Sequence, residues 1–322
     1  MFSKVRGRTV RVTLLVGVLG ALLFAGIRFA WELHGITAHL ADGDAAQGTY
    51  QQDPQRADRT ASAVLDGMVR EDPEPPTDNQ VFGGDAPVDW RTAGWQPSEP
   101  LEARTATAEP SVGALFSPGT DGDGDHHCSA GVVHSPAGDL IVTAAHCVYQ
   151  GGFRTNLAFA PGYRDGVAPY GVWVPTRIDV DPRWAEDQDP DHDVAFLRLR
   201  RPGHPGQRLE DVTGSLTIRF RTELPAPARL VGYPNADELP LECRTTARAA
   251  GPTQLRLDCA DVPNGTSGGP VLTDGHILIG VIGGRDGGGD DETSYSVYFG
   301  DPIRTLYERA SQGQAPAGDH HP

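Results

Sequence analysis

DVAFLRLR, residues 193–200, alternates: Ala195, Leu197 and Leu199 fall on one side and Val194 and Phe196 on the other. A period of two marks a strand, because successive Cβ atoms point to opposite faces. Outward in both directions the pattern recurs as short β-prone runs between Gly, Pro and Asp clusters. VGALF (112–116), LIVTA (140–144), NLAFA (156–160) and YGVWV (170–174) come before it, and ARLVGYP (228–234), QLRLDC (254–259), ILIGVIGG (277–284) and SYSVYFG (294–300) after it. Such spacing predicts an all-β domain built as a sandwich or as barrels. Forty Gly, 27 Pro and only 2 Met agree, since they favour turns and short strands over long packed helices. One helix closes the pattern, with Asp301 as its N-cap, Pro302 in the first turn and IRTLYERA behind them.

The 322 residues divide by composition rather than by size. Residues 1–11 carry Lys4, Arg6, Arg8 and Arg11, and Val12 to Ile27 form an uncharged, mostly apolar run. Residues 1–31 are therefore an export segment, a signal peptide or a signal anchor. Trp31 suits a membrane interface and no small-x-small cleavage site directly follows, which favours the anchor, with membrane contact through residues 12–31 if uncleaved. Either way the rest of the chain is extracytoplasmic, secreted if the segment is removed. Residues 32–105 read as a flexible Pro/Ala/acidic linker, typified by EDPEPPTDN (71–79). Trp90 and Trp95 are its exceptions, either docked on the folded domain or unattached. The folded domain spans 106–310, and 311–322 is a disordered tail. A net charge of -16 argues against a nucleic-acid partner, which would require clustered Lys and Arg. No heptads appear, so a monomer is expected.

Three segments carry chemistry. In TAAHC (143–147), His146 follows an apolar strand with small neighbours on either side. In NGTSGGP (264–270), Ser267 sits among glycines that allow a tight turn and close approach of a ligand. A serine hydroxyl is a poor nucleophile unless a base takes its proton, and the oxyanion that follows needs preorganised N–H donors. The amides of Gly265 and Ser267 could supply these. A third group must orient the imidazole. Among Asp189, Asp191 and Asp193, only Asp193 stands directly before the alternating strand. Each segment alone has an ordinary structural reading, as a strand-end histidine, a Gly-rich hairpin and a solvated acidic loop. The four cysteines, Cys128, Cys147, Cys243 and Cys259, are spaced too widely for a zinc site and suit disulfides, for which three connectivities exist.

Together, TAAHC, DVAFLRL and GTSGGP in the order His, Asp, Ser resemble the trypsin-like (chymotrypsin-fold) serine peptidases, closest to the bacterial secreted, V8-like branch. The resemblance covers roughly residues 111–310. It implies two six-stranded antiparallel β-barrels with a short C-terminal helix, and hydrolysis of protein or peptide substrates through an acyl-enzyme. By the same resemblance His146 acts as base then acid, Asp193 orients it, Ser267 is the nucleophile, and the Gly265 and Ser267 amides line the oxyanion hole. It also implies the bridge Cys128–Cys147 beside the histidine, and with it Cys243–Cys259. No cofactor and no metal are implied. The sequence departs from the trypsin branch at Thr266, where that branch has the Asp that pairs with a new N-terminus, and VFGG (81–84) reads as a turn. For the substrate pocket the resemblance offers Asp261, with the other wall from Gly283, Gly284, Arg285 and Asp286 and the acidic run ending Asp290-Asp291-Glu292; it implies cleavage after Arg or Lys, with Arg285 favouring an acidic side chain as the alternative. The alternatives are a catalytically silent pseudopeptidase serving as a binding module, and an esterase. An esterase nucleophile elbow would lead from a strand into a helix, whereas here Ser267 runs into Pro270 and a strand.

Overall fold

In the computed structural model, residues 39–68, 95–119 and 126–312 are described. The elements that position the site are, in chain order, β1 (Thr49–Gln51), α1 (Pro54–Asp66), β2 (Arg104–Thr105), β3 (Val112–Phe116), β4 (His126–Val133), β5 (Leu140–Thr143), β6 (Ala158–Pro161), β7 (Val174–Val180), α2 (Pro182–Asp187), β8 (Ala195–Arg200), β9 (Thr217–Ile218), β10 (Ala226–Gly232), β11 (Leu241–Ala249), β12 (Gln254–Asp258), β13 (Pro270–Thr273), β14 (Ile277–Val281), β15 (Thr293–Val297) and α3 (Asp301–Ser311).

The first sheet runs β1-β7-β8-β5-β4-β3-β6. It closes on itself where Phe159 and Trp173 exchange two backbone hydrogen bonds of 2.8 Å, so six strands form a barrel and β1 is added outside. The second runs β9-β14-β13-β10-β11-β12-β15, with β2 on the side of β11, and closes through the bridge between Ile282 and Ser296. Closure removes the exposed edges that a flat sheet would present.

The alternation in residues 193–200 is realised on both faces. Ala195, Leu197 and Leu199 fill the first barrel with Ile141, Phe159 and Trp173. Val194 and Phe196 join a separate core with Val231 and Tyr233 of the second barrel and Ile303, Leu306 and Ala310 of α3. The second barrel has its own filling, including Leu230, Leu257, Val271 and Ile279.

Part of the segment read as linker is built into the domain. Helix α1 starts at Asp53, whose carboxylate accepts the Arg56 N–H at 2.7 Å, with Pro54 in its first turn. It buries Ala57, Thr60, Ala61 and Val64, one helical face, against the first barrel. These side chains are small and few, so the segment's composition falls short of what independent folding requires, and it orders only by docking. Farther along, Trp95 shares a cleft with Pro227, Arg229 and Leu272, and β2 pairs with β11. Trp90 and residues 81–84 lie outside the described residues, as do residues 1–31 and 313–322. Among the described residues no helix is long and apolar enough to cross a membrane. The closing helix is capped one residue earlier than its sequence suggests: Gly300 is the N-cap, and Asp301 in the first turn pairs with Arg221.

Candidate active site

Strands β5 and β8 are antiparallel neighbours with Thr143 opposite Ala195, so the end of one lies beside the start of the other. His146 follows the first on a single 3-10 turn, Ala145–Cys147, and Asp193 precedes the second on another, Pro190–His192. That register brings them together. The Asp193 side chain is 1% exposed and that of His146 23%. One carboxylate oxygen, Oδ1, accepts the His146 backbone N–H at 2.8 Å. The other, Oδ2, lies 2.8 Å from His146 Nδ1 and accepts the Gly284 N–H at 2.7 Å. A buried carboxylate against Nδ1 keeps the proton there and leaves Nε2 as the free base. Burial pulls the His146 pKa down, but the charge and hydrogen bond of Asp193 more than offset this, so it stands above the ordinary histidine value.

Asp189 and Asp191 are engaged elsewhere. Asp189 accepts the Asp191 N–H at 3.0 Å, and the Asp191 carboxylate accepts the Gln254 amide at 2.9 Å.

The bridges are Cys128–Cys147 and Cys243–Cys259. The first ties the histidine turn to β4, and Cys147 Sγ touches the Ser267 carbonyl at 3.7 Å. That carbonyl accepts the Ser129 N–H at 2.7 Å. Gly268 has φ +79°, and a Cβ there would meet Thr143 Oγ1 at 2.0 Å and Ala144 N at 2.9 Å. Only glycine lets the serine turn lie this close to the end of β5. Ser267 itself is half-buried, and its hydroxyl makes no hydrogen bond to His146 in this structure. Catalytic contacts of this kind commonly tighten only with substrate in place.

Two backbone donors flank the hydroxyl. The Asn264 carbonyl accepts the Asn235 N–H at 2.9 Å and the Thr266 carbonyl accepts the Gly269 N–H at 2.9 Å. In a trans peptide the next N–H points opposite to its carbonyl, so the amides of Gly265 and Ser267 face away from those bonds. Among the described residues neither has an acceptor. Gly265 has φ +97°, and Ser129 Oγ donates to its carbonyl at 3.0 Å, which fixes the turn. Thr266 is buried, and its hydroxyl donates to the Pro263 carbonyl at 2.7 Å.

Beside Ser267 opens a cleft of about 250 Å³. Its walls are Val262 to Asn264 with Thr266 on one side, and Ile282, Gly287 to Asp291 and Ser294 on the other. Of the residues offered from sequence for this pocket, Asp261, Gly283, Gly284 and Arg285 are not among its lining. Asp261 is exposed with φ +58°, and its N–H donates to the Asp291 carbonyl, so the loop turns before reaching the cleft. Gly283 and Gly284 pack behind Asp193, and Arg285 is exposed. Asp290 and Asp291, from the acidic run expected on the other wall, are among the lining residues. The Gly284 donor carries no side-chain signal and could not be read there.

His126 is buried, and the His127 Nε2 lies 3.0 Å from the Cys147 carbonyl. Burial, helped by the Arg154 charge, pushes the His127 pKa down to about 3. Among the described residues one grouping has metal-ligand spacing, Cys128, His146 and Cys147, but its two sulfurs are bonded to each other and offer no thiolate.

Residues 128–281 match the family model of the trypsin-like peptidase domain. Among solved structures, the protease Anisep of Arthrobacter nicotinovorans is 26% identical with a TM-score of 0.57, over 65% of this chain and 99% of that one. A thermostable serine protease, AL20, from an extremophilic microorganism is 29% identical with a TM-score of 0.55, over 63% and 97%. A Glu endopeptidase, 16% identical with a TM-score of 0.54 over 65% and 96%, shares the fold. Fold and comparisons define the class as a serine-type endopeptidase of the chymotrypsin fold. The chain carries a trypsin-like peptidase domain.

Proposed function

We propose that the chain cuts peptide bonds with Ser267 as nucleophile, His146 as general base and then acid, and Asp193 as the group that orients the imidazole. His146 Nε2 takes the Ser267 hydroxyl proton as Oγ attacks the scissile carbonyl, and the oxyanion sits on the Gly265 and Ser267 amides. The proton passes to the leaving amine, which departs and leaves the acyl-enzyme. A water then repeats the sequence and releases the acid. The observation that carries this reading is the Asp193 carboxylate, buried and held by three donors, two of them from His146. No cofactor takes part.

The cleft beside Ser267 presents Asp290 and Asp291 and no basic side chain. This favours an Arg or Lys side chain in the substrate residue before the cut, with Asp290 and Asp291 in the role that the family resemblance gave to Asp261. The two disulfides support an oxidising compartment outside the cytoplasm, and the basic and then apolar sequence of residues 1–31 supports an export segment. A monomer completes the reading.

A fluorophosphonate probe should label the purified protein and fail on Ser267→Ala and His146→Ala. A peptide library should then show cleavage after Arg and Lys that Asp290→Asn with Asp291→Asn reduces. A folded protein that stays unlabelled would instead be a binding module, and cleavage after Glu would reverse the pocket assignment.

A further inference from the structure

The carboxamide of Gln254 lies where three segments of the site meet. The residue is the first of β12, in the second barrel, and is 1% exposed. Its Nε2 donates to the Pro190 carbonyl at 2.9 Å and to Asp191 Oδ1 at 2.9 Å, both on the turn that delivers Asp193 from the first barrel. Its Oε1 accepts the Arg285 N–H at 3.3 Å. The residue before Arg285 is Gly284, whose own N–H holds Asp193 Oδ2. Gly284 is also in contact with the carboxamide, since a Cβ on it would come within 2.5 Å of Gln254 Oε1.

We infer that Gln254 is a positioning residue for the triad: one carboxamide clamps the turn that carries Asp193 to the segment that supplies its Gly284 hydrogen bond. The inference rests on the triad reading above and adds a side chain that touches neither substrate nor His146. All of its polar capacity toward this region is used. Both Nε2 hydrogens have acceptors, and Oε1 has a donor. A buried amide with its partners met holds a single arrangement, and removing it takes one partner each from the Pro190 carbonyl, the Asp191 carboxylate and the Arg285 amide. The two barrels meet at Asp193, so a shift of the turn against the segment at Gly284 turns the carboxylate away from Nδ1. Misplacement by about 1 Å costs about 100-fold in rate where geometry controls the step.

The test is Gln254→Leu in the full chain, assayed on a peptide substrate. The expected result is a fall in kcat of about 10- to 100-fold with KM within about two-fold. The acid limb of the kcat/KM profile should move to lower pH, because Asp193 holds the His146 pKa up against its burial. In an Asp193→Asn background the same change should cost less than about two-fold more, since residues acting as one unit are not additive. Gln254→Asn, one methylene short of spanning the gap, should give the same signature more weakly and carries the test if the leucine variant does not fold. An unchanged kcat, an acid limb that stays put, or an equal loss in both backgrounds overturns the inference. Full activity of Asp193→Asn alone would overturn the triad reading first, and so tells the two failures apart.

Discussion

The two barrels contribute to the site by different means. The first supplies side chains from strand ends: no residue from 139 to 150 or from 189 to 202 has a positive φ, and the His146–Asp193 pair follows from the register of β5 against β8. The second supplies the Ser267 side chain and main-chain groups from turns that only glycine makes easily, with φ of +97° at Gly265, +79° at Gly268 and +89° at Gly284. Outside bracing differs too. Helices α1 and α3 pack against the first barrel, whereas the second gains short strands and Trp95. On the proposed mechanism the His146–Asp193 pair is thus set by ordinary strand pairing, while the Ser267 turn and its amides are set by conformations that a side chain would disturb.

The strongest way to sharpen this contrast is Asp193→Asn, which removes the charge of the first barrel's contribution at nearly unchanged side-chain size. Activity should fall about 10^4-fold, because the amide favours the wrong imidazole tautomer. The sign of the titration follows from the same pair. With the Asp193 charge gone, burial is the main influence left, so the His146 pKa drops below its value in the unaltered protein. The kcat/KM acid limb, measured across pH 5 to 8, should move down, and a limb that stays or rises breaks the assignment.

Next come the two disulfides, one in each barrel and with similar sequence separations of 19 and 16 residues. Replacing either pair by alanine should cost about 3 kcal/mol in denaturant unfolding. Only loss of Cys128–Cys147, which touches the Ser267 carbonyl, should also lower kcat under conditions where both variants are folded. Equal loss of kcat from the second bridge would erase the distinction between the barrels. The smallest effect belongs to the bracing: Asp58→Ala breaks the 2.6 Å pair between Arg200 and α1, with both side chains substantially exposed. It should cost about 0.5 kcal/mol or less and leave kcat untouched. A larger loss of stability would mean that α1 is held by charge rather than by Ala57, Ala61 and Val64.

Legibility from sequence follows the same division. The triad candidates and the strand at 193–200 were readable because side-chain type and a period of two carry them. Asp193 was separable from Asp189 and Asp191 only by its place before that strand, and the structure gives the other two separate hydrogen-bond partners. Gly284 was read as pocket lining because a glycine announces room and not the direction of its N–H. Asp261 lies outside the cleft's lining, since counting back from Ser267 does not give the path of a loop that turns at φ +58°. Helix α1 was lost in its surroundings, since three small apolar residues on one face do not lift an acidic, Pro-rich segment above linker composition. Gln254 carries no sequence signal, as its role exists only where two loops converge.

The described chain begins on the first barrel with β1 and α1, passes to the second with Trp95 and β2, returns for β3 to β8, goes back for β9 to β15, and ends on the first with α3. Four crossings stitch the halves together, and the cleft lies on that seam. Neither half can therefore melt without pulling covalently on strands or helices of the other, and loosening at one terminus is transmitted to both. Heat or denaturant should meet one cooperative unit, with activity and structure lost in the same transition.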